Sequence, residues 1–213
     1  MNKAQAIRIA GSLSEPSKMP CKSYGLPAAV CITGGKLKVI AGSTCSICYA
    51  EKGCYVFPSV ERAQAKRLKA VQKDINEWEK AMAFLIEHAA KRNKLFRWHD
   101  SGDLQSLEHL HAIVGIARQL PQVMFWLPTR ERQMVQEFLK VNKEFPPNLI
   151  VRVSAAFVNQ MPAKVEGCLG STVHDRPPPP EVYICPAYTQ GGKCRDCRAC
   201  WDRNVPVVSY PKH

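Results

Sequence analysis

The last thirty residues of the chain contain a run of cysteines whose spacing limits what this segment can fold around. The run is Cys194-x-x-Cys197-x-x-Cys200, and Cys185-Pro186 precedes it, so that four thiols fall within sixteen residues. Thiolates three residues apart can surround one inorganic centre, and such a triplet with a more distant Cys-Pro is typical of iron–sulfur proteins. We therefore predict that these four cysteines hold a 4Fe-4S cluster.

A second group of cysteines lies near the N-terminus. Of the remaining six cysteines, five fall within the first 54 residues, which is enough for a second site. The segment around them is rich in loops, so the thiols can fold back on one centre without being constrained by strands. We predict a second 4Fe-4S cluster here, with Cys54 and the distant Cys168 as the least suited ligands. The predicted ligands of the second site are Cys21, Cys31, Cys45 and Cys48.

Two other uses of these cysteines remain as alternatives. Disulfides would fit the even number of ten, but they belong to oxidising compartments, and residues 1–8 lack the apolar segment of a secretion signal. Zinc is the stronger alternative, because Cys45-x-x-Cys48 and Cys194-x-x-Cys197 are each half of a zinc ribbon. A ribbon would leave the third cysteine of the C-terminal run unused, so iron–sulfur is favoured at both sites.

Length and charge restrict the class of protein. With 213 residues, 46% of them hydrophobic, the chain can bury one core without dividing into two large domains. We expect an α/β core over residues 1–176, with a cysteine-rich segment at about 20–57, and a metal-binding tail over 177–213 packed on the same domain. No apolar run approaches the ~18 residues of a membrane span. The net charge of +12 makes nucleic acid a candidate partner.

The middle of the chain alternates regularly between strand and helix patterns. A short strand is also predicted at 37–41, and prolines 177–180 form a stiff spacer before the tail. Strands alternating with helices imply parallel strands and right-handed crossovers. The predicted fold class is α/β, with parallel βαβ units forming a partial (half) TIM-like barrel or an open sheet. The strands are predicted at 95–98, 123–127 and 149–153, and the helices at 61–70, 74–91, 104–118 and 131–142.

Polar residues follow each predicted strand of this central region. His99, Asp100 and Asp103 come after the first strand, Arg130 after the second and Ser154 after the third. Parallel strands end at one edge of a sheet, which is where ligands and catalysis are found in such folds. We therefore expect His99, Asp100, Asp103 and Arg130 to converge as a candidate catalytic site.

Helix capping explains some of these polar residues without any chemistry. Ser101 or Asp103 can cap the helix predicted from residue 104, and Thr129 can cap the next one. The pair His174-Asp175 is a weaker site candidate than His99. The histidines predicted to be ordinary surface or core-edge residues are His88, His109 and His111.

Five distinctive sequence blocks follow one another along nearly the whole chain. They are Cys45-x-x-Cys48-Tyr-Ala, Phe-Arg-Trp-His-Asp-Ser-Gly-Asp (96–103), Phe-Trp-Leu-Pro-Thr-Arg (125–130), Val-Arg-Val-Ser (151–154) and the C-terminal cysteine run. Together these blocks resemble the bacteriophage gene product 88 domain family. The resemblance implies a phage-encoded protein acting in the cytoplasm of the infected bacterium. It implies no particular activity.

A more distant resemblance is to radical SAM proteins, which join a cysteine motif followed by Tyr-Ala to a partial α/β barrel. It implies a 4Fe-4S cluster with one iron open to S-adenosylmethionine. The chain departs from their x-x-x, x-x spacing, because Cys45-x-x-Cys48 is followed by Cys54. We expect an iron–sulfur protein with a redox, electron-transfer or radical-SAM-like role and an electron donor as partner. The alternative is a zinc-stapled structural or regulatory protein that binds nucleic acid or a host protein.

Overall fold

Seven parallel strands form one open sheet in the computed structural model, which describes residues 1–212. Their order across the sheet is β1-β2-β3-β4-β5-β7-β6, and every neighbouring pair is parallel. The predicted α/β class with parallel βαβ units is therefore confirmed, in its open-sheet form. The strands are β1 Ser23–Tyr24, β2 Leu95–Trp98, β3 Met124–Thr129, β4 Leu149–Ser154, β5 Leu169–His174, β6 Tyr183–Ile184 and β7 Val207–Pro211.

Helices cover one face of this sheet. Three of the six begin where a polar side chain accepts from free backbone amides: Asp74, for example, accepts from the amides of Asn76 and Glu77 at the start of the fourth helix. None of the helices in residues 1–212 has the length and apolar character needed to cross a membrane. The helices are α1 Lys3–Ala10, α2 Ile32–Lys38, α3 Pro58–Lys73, α4 Ile75–Ala89, α5 Leu107–Gln119 and α6 Arg132–Asn142.

The two faces of the sheet bury different apolar clusters. Successive side chains of a strand point to opposite faces, so Phe96 and Trp98 of β2 pack into the main core under the helices. Leu95 of the same strand packs instead into a smaller cluster on the other face, together with Trp126, Trp201 and several cysteines. The C-terminal tail therefore takes the place that a helical layer would occupy in a sheet covered on both faces.

Two features of the fold differ from the sequence-based prediction. Residues 37–41 do not form a strand, because 32–38 is helix α2 and the chain then turns. The predicted strands do not include β1, β5, β6 and β7, and β7 is inserted between β5 and β6. The tail is thus part of the sheet as well as packed upon it. Burial of β7 depends on a partner far away in sequence, which a local pattern does not show.

Candidate functional site

Five cysteines come together on the face of the sheet that the tail covers. Burial raises the pKa of the Cys194 thiol, and the neighbouring Cys185 and Cys197 thiols raise it further. Burial also raises the pKa of Cys21 to about 12, with Cys194 and Cys200 acting in the same direction. Thiols shift one another in this way only when they are close in space. This group, here called the tail site, consists of Cys21, Cys185, Cys194, Cys197 and Cys200.

Cys21 belongs to the tail site, which corrects its assignment to the N-terminal set. It precedes β1, whereas Cys31 follows that strand. Between the two cysteines, β1 therefore carries the chain from the end of the sheet at which the strands begin to the end at which they finish. The segment before β1 is also bound to the tail, because the amide of Cys194 donates to the carbonyl of Lys18 at 2.8 Å. The tail site therefore has one thiol more than the four predicted.

Arg152 fixes the backbone of the tail site. The residue is completely buried in β4, and its guanidinium donates to the carbonyls of Ala199, Cys200, Asp202, Gly170 and Val205 at 2.8–3.1 Å. No carboxylate within the described residues forms an ion pair with it. Burial lowers the pKa of Arg152, while the nearby Cys200 raises it. A buried cation thus lies directly beside the thiols.

A second guanidinium, that of Arg97, lies beside the same site. It stacks over the ring of Trp126 at 4.3 Å, and its charge lowers the pKa of Cys21 against the larger effect of burial. The buried Nε of Arg97 and Nε1 of Trp126 have no hydrogen-bond partner. A buried N–H without an acceptor costs about 1–3 kcal/mol. The donors therefore suit an anionic group with sulfur acceptors, which is the character of an iron–sulfur cluster held by thiolates.

Three further cysteines lie at the rim, the edge of the sheet at which the strands end. Burial is the largest cause that raises the pKa of the Cys31 thiol. The pKa is raised further by the nearby charges of Asp103, Cys48, Cys45 and Glu131. The approach is close at Gly34, where an added Cβ would lie 2.9 Å from the Cβ of Cys31 and 3.5 Å from the Sγ of Cys45. We call this group the rim site. It consists of Cys31, Cys45 and Cys48.

The loop that carries Cys45 and Cys48 is held at both ends of the rim. The Thr44 amide donates to the carbonyl of Ala156 at 2.9 Å, just beyond β4. The hydroxyl of Tyr49 donates to the carbonyl of Asp100 at 2.7 Å, just beyond β2. The cysteine loop therefore spans the ends of the central strands, where the sequence predicted the catalytic residues.

All ten cysteines are free thiols. Cys54 is exposed, and Cys168 packs against the main core, where burial raises its pKa to about 12. Across residues 1–212, no three His, Cys, Asp or Glu side chains are arranged to hold a metal ion. Eight of the thiols are therefore grouped at two sites, but within residues 1–212 they do not have the geometry that binds a single metal ion.

Asp103 and Arg130 meet at the rim site as predicted from the strand ends. The Asp103 carboxylate accepts from the Thr129 hydroxyl at 2.6 Å and from the amides of Leu104 and Arg130 at 2.8 Å. Burial raises its pKa to about 6, although these three donors lower it. The Arg130 guanidinium donates to the carbonyl of Ala155, and its charge partly offsets the effect of burial, which raises the pKa of Cys45. Asp103 therefore joins two strand ends and is no helix cap, since Ser106 caps α5.

The side chains of Asp100 and His99 have partners other than the rim cysteines. Asp100 accepts from the hydroxyl of Ser23 at 2.7 Å and so fixes β1 against β2. The His99 ring faces the ring of His109 with centroids 5.5 Å apart. The side chains of these two predicted catalytic residues therefore do not converge with those of Asp103 and Arg130. The pair His174-Asp175 is farther along the rim, where His174 contacts Ser209 at 2.5 Å.

Glu131 is a rim residue that the sequence did not single out. Its carboxylate accepts from the amide of Thr33 at 2.8 Å and from the hydroxyl of Thr33 at 2.7 Å. It thereby fixes the first turn of α2, immediately after Cys31. No sequence signal identifies this role, because the partner is 98 residues away.

His109 is fully buried, so its prediction as a surface or core-edge residue is wrong, whereas His88 and His111 are exposed. Burial lowers the pKa of His109 to about 3. It also lowers the pKa of His99 well below its usual value, with His109 and Arg97 adding to the effect. Both ring nitrogens of His99 and the Nε2 of His109 have no partner. The structure therefore holds both rings in the neutral form.

The free energy of unfolding is expected to fall on acidification below about pH 6.5. Unfolded histidine binds a proton near that pH, but folded His109 does not bind one until about pH 3. The unfolded state then binds more protons between these values, so stability rises with pH there, by about 1.4 kcal/mol per unit for one histidine.

Urea denaturation at a series of pH values measures this slope. In His109→Phe the slope of the unfolding free energy against pH should decrease by the amount that corresponds to about one bound proton. His111→Phe is the control for the change of residue type. An unaltered slope in His109→Phe would contradict the buried neutral histidine.

The fold and its sites define an α/β protein with two separate cysteine groups on one open parallel sheet. Residues 2–203 match the family model described as Gene product 88, and the chain belongs to this bacteriophage family. No curated protein and no solved structure matches the chain.

Proposed function

We propose that the chain is a phage iron–sulfur protein of the host cytoplasm, with a 4Fe-4S cluster at the tail site and a second one at the rim site. The observation that carries the proposal is the tail site, where free thiols lie close to the buried guanidinium of Arg152 and the half-buried guanidinium of Arg97. Such cations are costly unless they face negative charge. Thiolates around a cluster supply that charge, and the unpartnered N–H groups of Arg97 and Trp126 supply donors to sulfur.

The two sites would differ in how completely they enclose a cluster. At the tail site, Cys185, Cys194, Cys197 and Cys200 provide four ligands, and Cys21 lies beside them as a fifth thiol. A cluster with four protein ligands supports one-electron transfer. The tail site is therefore suited to relay electrons and to staple the tail to the sheet.

The rim site provides three cysteines, so a cluster there would keep one coordination position for another ligand. Open positions are where metal centres bind and activate substrates. Burial raises the pKa of Cys45, and the Arg130 guanidinium partly offsets this by favouring the thiolate, while Asp103 holds the backbone of Arg130 in place. This arrangement favours chemistry at the rim, of the kind for which S-adenosylmethionine would be one candidate ligand.

Arg97 links the two sites. Its guanidinium donates to the hydroxyl of Tyr49 at 3.1 Å, and Tyr49 directly follows Cys48 of the rim site. In the tail site, burial raises the pKa of Cys21 and of Cys194, and the same guanidinium partly offsets this effect at both thiols. Arg97 is thus one cation shared by the surroundings of both sites.

Zinc in place of iron would make the same sites structural staples. The two Cys-x-x-Cys pairs at 45–48 and 194–197 favour this alternative. The protein would then serve as a scaffold that binds nucleic acid or a host protein through its positive charge.

Substitution at the rim site tests for a second cluster. Cys48→Ala removes one of three thiols, so the iron content of anaerobically purified protein should fall from about eight to about four per chain. Cys168→Ala is the matched control, because Cys168 packs in the main core away from both sites. Iron that is unchanged in Cys48→Ala, or that falls equally in the control, would rule out the rim cluster.

A further inference from the structure

A cavity opens at the rim beside the candidate cysteine site. It has a volume of about 440 Å³ and lies where β3 and β4 end, between the first turns of α2 and α6. This volume is within the range of roughly 300–1,000 Å³ that is usual for small-molecule sites. Ligands of parallel α/β sheets bind at this edge. The location and the size are therefore those of a binding site for a small molecule.

The polar wall of the cavity is positively charged. Arg130 and Arg132 line it, and no Asp or Glu is among the lining residues that the structure describes. Arg130 is held in position by its hydrogen bond to the carbonyl of Ala155. The neighbouring carboxylate of Glu131 is bound to Thr33 and is not part of the wall. A ligand of this wall would have to be anionic.

The placement of Arg132 does not serve the stability of its helix. It is the first residue of α6, a helix with no side-chain cap and no acidic residue in its first turn. A cation at the positive end of a helix dipole is unfavourable, whereas an anion there is stabilised. The position of Arg132 is therefore better explained by a ligand than by the fold.

Much of the remaining lining of the cavity is apolar. Leu37, Val153, Phe157 and Met161 line it. Met161 is a large apolar side chain that is 42% exposed. We propose that the cavity binds a small organic anion, whose carboxylate or phosphate group lies against Arg130 and Arg132 and whose apolar body lies against Phe157 and Met161.

This proposal goes beyond the proposed function, because the binding needs no metal. The cavity nevertheless adjoins the rim site, since the guanidinium of Arg130 acts on the thiol of Cys45 as well as lining the cavity. A ligand held there would lie beside the open coordination position of a rim cluster. The site would then select the substrate, while the cysteines would supply the chemistry.

Isothermal titration of the full-length protein with benzoate, phenyl phosphate and inorganic phosphate tests the proposal. We expect benzoate or phenyl phosphate to bind, the stronger of the two identifying the anionic group, and inorganic phosphate to bind more weakly because it lacks an apolar body. Arg132→Gln should weaken binding about fivefold or more, as the loss of one charge-assisted contact does. Arg62→Gln, an exposed arginine on α3, is the matched control and should bind as the wild type does.

The proposal is overturned if neither organic anion binds at millimolar concentration, or if Arg132→Gln binds as tightly as the wild type. Iron and sulfide are measured in the same samples to separate the two proposals. Binding by a preparation without iron supports the anion site while contradicting the iron–sulfur function. Absence of binding by an iron-loaded preparation overturns the anion site alone.

Discussion

Replacing Cys200 with alanine is expected to release about half of the bound iron and to unfold the tail. Cys200 is 8% exposed and packs with Trp126 and Trp201, and its sulfur lies 3.3 Å from the hydroxyl of Tyr210. Short cysteine-rich segments depend on their metal for folding, at about 10–16 kcal/mol for zinc in the comparable case of zinc fingers. The effect of this single thiol should therefore far exceed that of an ordinary cavity in the core.

Iron analysis and limited proteolysis measure the two consequences of Cys200→Ala. We expect new cleavage within residues 186–206, together with an iron content of about four per chain, which corresponds to the rim cluster alone. Cys54→Ala is the control, because Cys54 is exposed and outside both sites. Full iron and full resistance to protease in Cys200→Ala would show that the tail site holds no cluster.

Replacing Arg152 with methionine is expected to lower the free energy of unfolding by roughly 4 kcal/mol or more. Each buried carbonyl that loses a donor costs about 1–3 kcal/mol, and Arg152 donates to the carbonyls of residues 170, 199, 200, 202 and 205. The variant should also lose iron from the tail site, because the backbone on both sides of Cys200 is no longer held.

Arg203→Met is the matched control for this prediction. Arg203 also donates to two carbonyls, of Pro146 and Pro147, but it is exposed to solvent. Its loss should cost less than about 1 kcal/mol, because water replaces an exposed donor. Urea denaturation of both variants measures the difference. Equal losses in the two would mean that Arg152 does not organise the tail site.

The sequence predicted the fold where local periodicity and burial coincide. Strands β2, β3 and β4 are apolar runs separated by amphipathic helices, and this pattern alone places their ends on one rim. Strand β5 was missed because it contains Gly170, Ser171 and Thr172, which have no strong strand pattern. Strand β7 was missed because its burial comes from strands β5 and β6, which it joins across the sheet.

The candidate site was predicted less completely than the fold. Spacing alone grouped the four C-terminal cysteines, which the structure brings together with Cys21. The position of Cys21 could not be predicted, because a strand of only two residues, β1, lies between it and Cys31, and only the pairing of that strand decides at which end of the strands each cysteine lies. Asp103 and Arg130 followed from the strand-end rule. The turning of His99 towards His109 follows from tertiary packing, for which the sequence has no signal.

Metal and sulfide analysis of anaerobically purified protein tests the central claim most directly. The account predicts a brown protein with iron and acid-labile sulfide in equal amounts, about eight of each per chain. It also predicts no stoichiometric zinc. A colourless protein that contains zinc and lacks sulfide would contradict the account.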